Sequence, residues 1–224
     1  MIWKDFEKLE EKKINLGGSE DCHPKKHYEG YVSLDLATEM NYGISHDLRK
    51  PLPIEDEQVD TILSEHFFEH IPYKDGLKLV NECYRVLKKG GNMRIAVPDY
   101  GSPKNKKAGL KKHDPRHGDH VEFPTYTWAN KMMEESNVEN YQISNYWDGK
   151  FFKYKQIDYS KGWVKRTREN DCRNYRLTFL SKLMGIIRDV SMWVSCGFPI
   201  SGDQIYNARG RKFRMTSIII DFKK

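Results

Sequence analysis

The sequence lacks several features that would place it in a class at once. Its four cysteines form no CxxC pair, which excludes a zinc ribbon or a dithiol redox motif. Its longest apolar region, Leu177 to Ile200, is interrupted by Lys182, Arg188 and Asp189, so the ~20 nearly uncharged residues of a membrane span are missing. The charged N-terminal residues have no apolar signal-peptide core. With isolated thiols, these absences predict a cytoplasmic protein without a membrane span.

The composition is that of a folded domain whose two halves differ in charge. The 224 residues are 38% hydrophobic and 12% aromatic, which predicts one globular domain over residues 1–224. The net charge is −5 over residues 1–100 and +11 over residues 101–224. The basic half suits a partner or acceptor that carries negative charge, although a solvated lysine-rich surface would give the same excess.

The first half alternates short apolar runs with a helical pattern. The runs are bounded by Gly, Asp or Ser, as strands are: Lys13–Leu16, Tyr31–Leu34, Val59–Leu63 and Met93–Val97. Apolar residues spaced by three and four predict a helix from Lys74 to Lys88, stopped by Gly90. Strand, helix and strand in this order give a right-handed parallel crossover. The predicted fold class is therefore α/β, with a doubly wound sheet.

The second half is less regular. A basic stretch rich in His, Gly and Pro, residues 101–122, is interpreted as an active-site loop, and an aromatic and basic insertion is placed at about 147–176. An apolar stripe over residues 176–194 predicts a core or dimer-contact helix, with attachment to a membrane surface as the alternative. Three further elements are predicted: a helix capped by Thr127 and running to about Ser136, a strand at Tyr141–Tyr146, and a final antiparallel strand at Ser217–Phe222.

Polar residues follow the predicted strands at regular intervals. Gly17 and Gly18 come directly after the first strand, where glycine lets the backbone turn sharply and approach a ligand. Asp35 ends the next run, where a carboxylate can accept both hydroxyls of a ribose. Asp47 stands where a third strand would end and could accept from an adenine amino group. Each could instead be an ordinary turn residue, but together they mark one edge of one sheet.

The fourth run is followed by Ser64, Glu65 and His66, which should face the reacting group. Ser64 and Glu65 could equally cap a helix. The segment that begins there also contains His66-x-x-Glu69-His70, a zinc metallopeptidase pattern that needs both histidines on one helix. Pro72 leaves little room for such a helix, so zinc hydrolysis is kept as the remote alternative.

These motifs, read in order as INLGG, SLDL, SHDLRKPLPIEDEQVDTILSEHFFEHI and ECYRVLKKGGNMRIAVPD, resemble the class I S-adenosylmethionine-dependent methyltransferases of the type 11-like branch. The resemblance covers Lys13 to about Asp99. It implies a Rossmann-like seven-stranded sheet whose last strand is antiparallel. It also implies S-adenosylmethionine as cofactor and S-adenosylhomocysteine as product, with residues 1–100 as the cofactor-binding half. The implied cofactor site comprises Leu16, Gly17, Gly18, Asp35, Leu36, Asp47, Leu48, Ser64, Glu65 and His66.

If the acceptor is a hydroxyl, a base must take its proton, and histidine suits that role near neutral pH. The loop HDPRHGDH follows the strand ending at Asp99 and should overhang the acceptor. His120, nearest the following helix, is the predicted base, and His117 is second. Asp99 or Asp119 would orient the imidazole. No metal site is predicted from this cluster.

The acceptor itself is predicted from the aromatic and basic second half. Aromatic faces stack on sugar rings and cations suit phosphates, so we expect a hydroxyl of a sugar in a glycan or nucleotide-sugar. The same mixture suits single-stranded nucleic acid, so an RNA methyltransferase is the alternative. A binding protein without catalysis is a third hypothesis, and a homodimer is allowed. The predicted substrate contacts are Trp147, Trp163, Arg168 and Arg173.

Overall fold

A computed structural model describes residues 2–18, 30–36, 43–101, 120–149, 151–153, 159–164 and 217–224. Within these ranges one seven-stranded sheet dominates the fold, with strand order β3-β2-β1-β4-β5-β9-β6. The strands run as follows: β1 Lys13–Leu16, β2 Val32–Asp35, β3 Gly43–Ser45, β4 Val59–Glu65, β5 Leu87–Pro98, β6 Asn140–Ser144 and β9 Ser217–Lys223. A separate two-stranded hairpin pairs β7, Tyr146–Asp148, with β8, Phe151–Lys153.

The sheet is parallel except at its late strand. Pairings β1–β2, β1–β4, β2–β3 and β4–β5 are parallel, whereas β9 runs antiparallel to both β5 and β6. The predicted α/β class, the seven strands and the antiparallel last strand are confirmed. From β1 the chain builds the sheet outward through β2 to β3, and from β4 it continues on the other side of β1. Open α/β sheets bind ligands at the carboxyl ends of the strands, beside such a change of direction.

Three helices are described: α1 Trp3–Phe6, α2 Tyr73–Val86 and α3 Tyr126–Glu135. Helix α2 buries one face, formed by Gly76, Leu79, Val80, Cys83 and Val86. Helix α2 contacts both β5 and α3, so α2 and α3 cover the same face of the sheet. Within the described chain, no helix combines the length and apolarity needed to cross a membrane.

Two helix boundaries differ from the sequence prediction. Helix α2 ends at Val86, because Leu87 is already extended and begins β5; Gly90, with φ of 81°, then lies in the strand. Helix α3 is capped by Thr125, whose hydroxyl accepts from the Trp128 amide at 3.3 Å, and the predicted cap Thr127 lies inside the helix. Both threonines satisfy the capping preference, so sequence alone did not separate them.

The core lies on both faces of the central strands. Alternate residues of β4, β5 and β9 face opposite ways, as the two-residue period of a strand requires. Ile62, Ile95 and Ile220 belong to the main core, whereas Ala96 and Ile219 pack with Trp163 in a separate cluster. The predicted helix over residues 176–194 lies outside the described residues.

Candidate functional site at the carboxyl edge of the sheet

The structure brings the predicted polar residues to one edge of the sheet. Gly17 follows β1, Asp35 ends β2, and Asp47 comes two residues after β3. The parallel register pairs Leu16 with Leu34 and Asp35 with Ser45, so these three strands end side by side. The carboxyl ends of β1, β2 and β3 therefore present a glycine turn and two carboxylates next to one another.

The glycine turn is tightly packed from both sides. Gly17 has φ of 69°, and a Cβ there would come within 2.5 Å of the Phe67 ring. A Cβ on Gly18 would lie 2.2 Å from Asn15 Nδ2 and 2.7 Å from Ser33 Oγ. Left-handed backbone and lack of space both require glycine at position 17. Phe67, which the sequence analysis did not include in the site, thus lies directly against the turn.

A cavity of about 230 Å³ opens at this edge. Its lining combines residues after β2, after β3 and after β4: Asp35, Leu36, His46, Asp47, Leu48, Arg49, Phe67, His70, Ile71 and Pro72. The side chain of Leu36 is 60% exposed and lines the cavity. Four predicted cofactor residues, Asp35, Leu36, Asp47 and Leu48, therefore share one cavity.

Other predicted cofactor residues occupy different surroundings. Leu16 and Ser64 are fully buried within the sheet. Glu65 is half-buried at the end of β4. His66 has a φ of 55°, rare for a residue with a side chain, and its amide donates to Ala96 O at 2.8 Å. These residues are not part of the cavity lining, although His66 follows the central strand β4.

Asp47 is held by a residue that the sequence analysis did not consider. Arg49 donates from Nε to Asp47 Oδ1 at 2.8 Å and from a guanidinium NH2 to Oδ2 at 2.9 Å. The Arg49 amide adds a third contact, to Oδ1 at 3.1 Å. The hydrogen bonds from Arg49 lower the pKa of Asp47 to about 2, so the carboxylate is ionised at neutral pH. Oδ1 thus accepts two hydrogen bonds, whereas Oδ2 accepts one and keeps a lone pair for a further donor.

A second group of polar side chains adjoins the cavity through His70. We call Glu69, His70 and His120 the Glu69 cluster; one ligand atom from each lies within 4.8 Å of the others. Glu69 and His70 belong to a 3₁₀ turn, Phe68–His70. The amides of Val121 and Glu122 donate to Glu69 O at 2.9 and 3.0 Å, which brings His120 to the same place.

The imidazole of His120 contacts Tyr100, Glu69 and His70. Its Nδ1 lies 2.5 Å from the hydroxyl of Tyr100, and its Nε2 lies 3.9 Å from Glu69 Oε1. The rings of His70 and His120 meet edge to face with centroids 4.6 Å apart. Burial, together with the charge of Glu69, raises the pKa of Tyr100 to about 12, so its hydroxyl stays protonated.

Asp99 has a different environment from the one predicted. It is fully buried, and its two oxygens accept from the Gly101 amide at 2.8 Å and from the Trp147 amide at 2.6 Å. The carboxylate thereby ties the end of β5 to the β7 strand. The residue that contacts the His120 imidazole is Tyr100, the next residue along the chain.

The predicted acceptor contacts are only partly described. Trp147 is half-buried in β7, and the ring of Trp163 packs on Ala96 and Ile219 with Lys223 Nζ at 4.7 Å from its centroid. Among the described residues, neither indole lines the cavity. His117, Asp119, Arg168 and Arg173 lie outside the described residues.

The metallopeptidase pattern does not form its helix. Residues Phe68–His70 make a single 3₁₀ turn before Pro72, and His66 precedes that turn. His66 and His70 therefore do not share a helical face, which the pattern requires. The cluster that does form takes its second histidine from residue 120.

Part of the sequence is similar to a known protein family. The family model for "Methyltransferase domain" matches residues 23–95, which span β2 to β5 and the cavity lining. The matched residues make up about a third of the 224-residue chain. No curated protein sequence matches the chain.

Two solved structures of methyltransferases have a similar fold. An S-adenosylmethionine-dependent methyltransferase from Archaeoglobus fulgidus superposes with a TM-score of 0.54 at 14% identity, covering 99% of this chain and 90% of that one. Another, from Thermotoga maritima and described as a possible histamine N-methyltransferase, gives 0.52 at 13% identity, covering 96% and 83%. These likenesses confirm the predicted Rossmann-like fold.

The site also contains residues that the sequence did not predict, and these residues carry different sequence signals. Glu69 and His70 belong to the HFFEH motif, which by itself indicates a peptidase pattern and not this cluster. Arg49 is two residues after Asp47, a spacing at which a side chain can reach back to a turn carboxylate. Tyr100 gave no signal, because its partner is twenty residues away.

Proposed function

We propose that this protein is an S-adenosylmethionine-dependent methyltransferase that methylates a hydroxyl group, with a sugar of a glycan or nucleotide-sugar as acceptor. The observation that carries the proposal is the cavity at the carboxyl edge, where Asp35, Leu36 and Asp47 meet next to the Gly17 turn. The matched methyltransferase domain and the shared fold support the donor half of the proposal. The acceptor half rests on the composition of the second half of the chain.

The residues present fit the cofactor. Asp35, half-buried at the end of β2, has two oxygens for the two ribose hydroxyls. The exposed Leu36 offers an apolar surface to one face of the adenine, and ionised Asp47 can accept from its amino group. A cavity of about 230 Å³ is smaller than the ~300–1,000 Å³ of whole drug-sized ligands, so it suits the nucleoside end.

The methionine end would lie over the glycine turn. Gly17 has no Cβ and its backbone is fixed by a hydrogen bond from its amide to Leu34 O at 2.9 Å. When bound, the cofactor supplies a sulfonium that is already activated for in-line transfer of its methyl group. The protein's part is then to align the acceptor with that methyl and to exclude water, which accounts for much of the rate enhancement in such reactions.

The proposed sugar acceptor is supported by aromatic and basic groups on the second half. Tyr126 and Tyr146 stack with centroids 4.1 Å apart, and Trp147 follows directly in β7. Sugar rings bind to aromatic faces of this kind, and a net charge of +11 over residues 101–224 suits a phosphate or an acidic glycan. Trp147, Trp163, Arg168 and Arg173 are the residues proposed to contact the acceptor.

Binding of the cofactor tests the donor half. We expect Asp35→Ala to weaken S-adenosylmethionine binding by at least about 100-fold in titration calorimetry, since each hydrogen bond to a charged group contributes ~1.5–3 kcal/mol. The matched control is Asp56→Ala, an exposed aspartate that precedes β4 and lies at the opposite edge of the sheet. Wild-type protein that binds no S-adenosylmethionine, or an Asp35 variant that binds like the control, would overturn the assignment.

The acceptor is tested with labelled methyl donor. Glycan, nucleotide-sugar and RNA pools are incubated separately with the protein, and we expect label in a sugar fraction as a base-stable ether. Label in RNA instead would replace the sugar proposal by the nucleic-acid alternative.

The proton of the hydroxyl is proposed to leave at the Glu69 cluster, which adjoins the cavity through His70. His120, the base predicted from the sequence, is the first residue to replace. We expect His120→Ala to lower turnover ~10²–10⁴-fold, while S-adenosylmethionine affinity stays unchanged. Equal turnover in wild type and variant would remove the cluster from the reaction.

A further inference from the structure

The Glu69 cluster joins one carboxylate and two imidazoles from distant parts of the chain. Glu69 and His70 come from the turn after β4, and His120 from the segment before α3, fifty residues later. Their ligand atoms lie within 4.8 Å of one another. Two imidazoles and a carboxylate are the donor set of catalytic zinc and of related divalent transition-metal sites.

The carboxylate of Glu69 is the decisive feature. The residue is fully buried, and within the described residues neither of its side-chain oxygens has a hydrogen-bond partner. Removing an ionised carboxylate from water costs several kcal/mol unless another charge or a metal ion compensates it. Among the described residues, two imidazoles lie near Oε1, His66 Nδ1 at 3.4 Å and His120 Nε2 at 3.9 Å.

Tyr100 prepares His120 for the role of ligand. A metal-binding histidine usually donates its other ring N–H to a fixed partner, which sets the tautomer and the ring orientation. Here the Tyr100 hydroxyl lies 2.5 Å from Nδ1 and can accept that N–H. The lone pair of the neutral ring is then on Nε2, the nitrogen that faces Glu69.

We propose that Glu69, His70 and His120 bind one divalent transition-metal ion of the zinc type, with an open coordination position toward the cofactor cavity. Nitrogen and oxygen ligands at ~2.1 Å from a tetrahedral ion lie about 3.4 Å apart, so side-chain rotation must close the present separations. Two of three ligands are imidazoles, which favours a transition metal over Mg²⁺ or Ca²⁺, since those ions prefer oxygen. His70 lines the cavity, so the open position faces it.

A catalytic role for the ion rests on the proposed function, whereas binding of the ion does not. An ion at this place would make a nearby hydroxyl more acidic. His120 would then act as a ligand, and the loss of turnover expected for His120→Ala would have loss of the ion as its cause. Metal content and cofactor binding are measured separately, so the two proposals can fail independently.

The test is metal binding to the full-length protein. Chelator-treated and dialysed protein is titrated with Zn²⁺ by calorimetry and with Co²⁺ by visible absorption. We expect one ion per chain, intense Co²⁺ bands between about 500 and 700 nm for a four-coordinate site, and a rise in Tm with Zn²⁺. We expect Glu69→Gln and His120→Ala each to weaken binding at least ~100-fold.

Asp56→Asn is the control. Its carboxylate is exposed, pairs with Arg85 and is not a member of the cluster, so we expect it to bind the ion like wild type. Glu69→Gln keeps the shape of the side chain, and unchanged far-UV circular dichroism shows that it folds. Binding of less than one ion per chain, or equal affinity in wild type and Glu69→Gln, would overturn the metal site. S-adenosylmethionine titrated into the same metal-free protein reports on the proposed function alone.

Discussion

Asp221 and Glu69 are both fully buried carboxylates, and their surroundings are opposite. Asp221 lies in β9, directly across from Arg94 in β5. Arg94 donates to it twice, from Nε at 2.6 Å and from an NH2 group at 2.9 Å. Glu69, beside the cavity, has no hydrogen bond to either oxygen within the described residues. A carboxylate with matched partners fixes the sheet, whereas one without them is available to a ligand.

Asp99 shows that burial alone does not separate the two cases. It too is fully buried, and backbone amides of Gly101 and Trp147 satisfy its oxygens. The partner therefore decides the role of each carboxylate. Asp221 and Asp99 join segments of the chain, and Glu69 faces histidines at distances of 3.4 and 3.9 Å, too long or poorly aligned for hydrogen bonds.

The largest effect is expected from Asp221→Asn. It removes the carboxylate that accepts twice from the buried Arg94 guanidinium, and arginine cannot respond by losing its proton. Breaking a buried pair in this way costs ~3–5 kcal/mol, measured by urea unfolding. The control Asp56→Asn breaks an exposed pair with Arg85 and should cost less than ~1 kcal/mol. Similar losses in both variants would contradict the contrast between buried and exposed pairs.

A smaller effect on stability is expected from Glu69→Gln. In metal-free protein the variant replaces a buried carboxylate that has no hydrogen-bond partner within the described residues, and it keeps the shape of the side chain. We expect the free energy of unfolding to stay within ~1 kcal/mol of wild type, since a lone buried charge is itself costly. A loss as large as that of Asp221→Asn would show that Glu69 is a structural residue, and the comparison would no longer hold.

An effect of similar size is a pH dependence at Tyr100. Its pKa is raised from 10.0 to about 12 in the fold, so the unfolded chain loses this proton first as the pH rises. The stabilisation is complete below pH 10 and is lost as the pH rises toward 12. Between pH 9 and pH 11 we expect wild type to lose ~1 kcal/mol more than Tyr100→Phe in urea unfolding.

Urea unfolding of Glu69→Gln between pH 9 and pH 11 tests whether Tyr100 senses the Glu69 carboxylate. The charge of Glu69 is the second cause of the raised pKa, after burial. Without that charge the loss between pH 9 and pH 11 should be smaller. An unchanged loss would mean that Tyr100 does not sense the carboxylate.

Much of the cofactor edge was predictable from the sequence, because local signals specify it. Short apolar runs ending in Gly17, Asp35 and Asp47 identify strands and the edge where they end, since parallel strands align their carboxyl ends. The antiparallel strand at Ser217 to Lys223 was found in the same way. Helix boundaries were less accurate, as Thr125 and Thr127 show, because both satisfy the same local preference.

The Glu69 cluster depended on the tertiary structure. His120 was chosen as a base from its place in a loop, but its neighbours Tyr100, His70 and Glu69 come from two other segments. The pairing of Arg94 with Asp221, 127 residues apart, also exists only once β9 lies beside β5. The sequence by itself determined the strand pattern and the donor edge, because those depend on local periodicity and turn residues. The tertiary structure decided which buried carboxylates are paired and which is open to a ligand, because that depends on charges brought together only by folding.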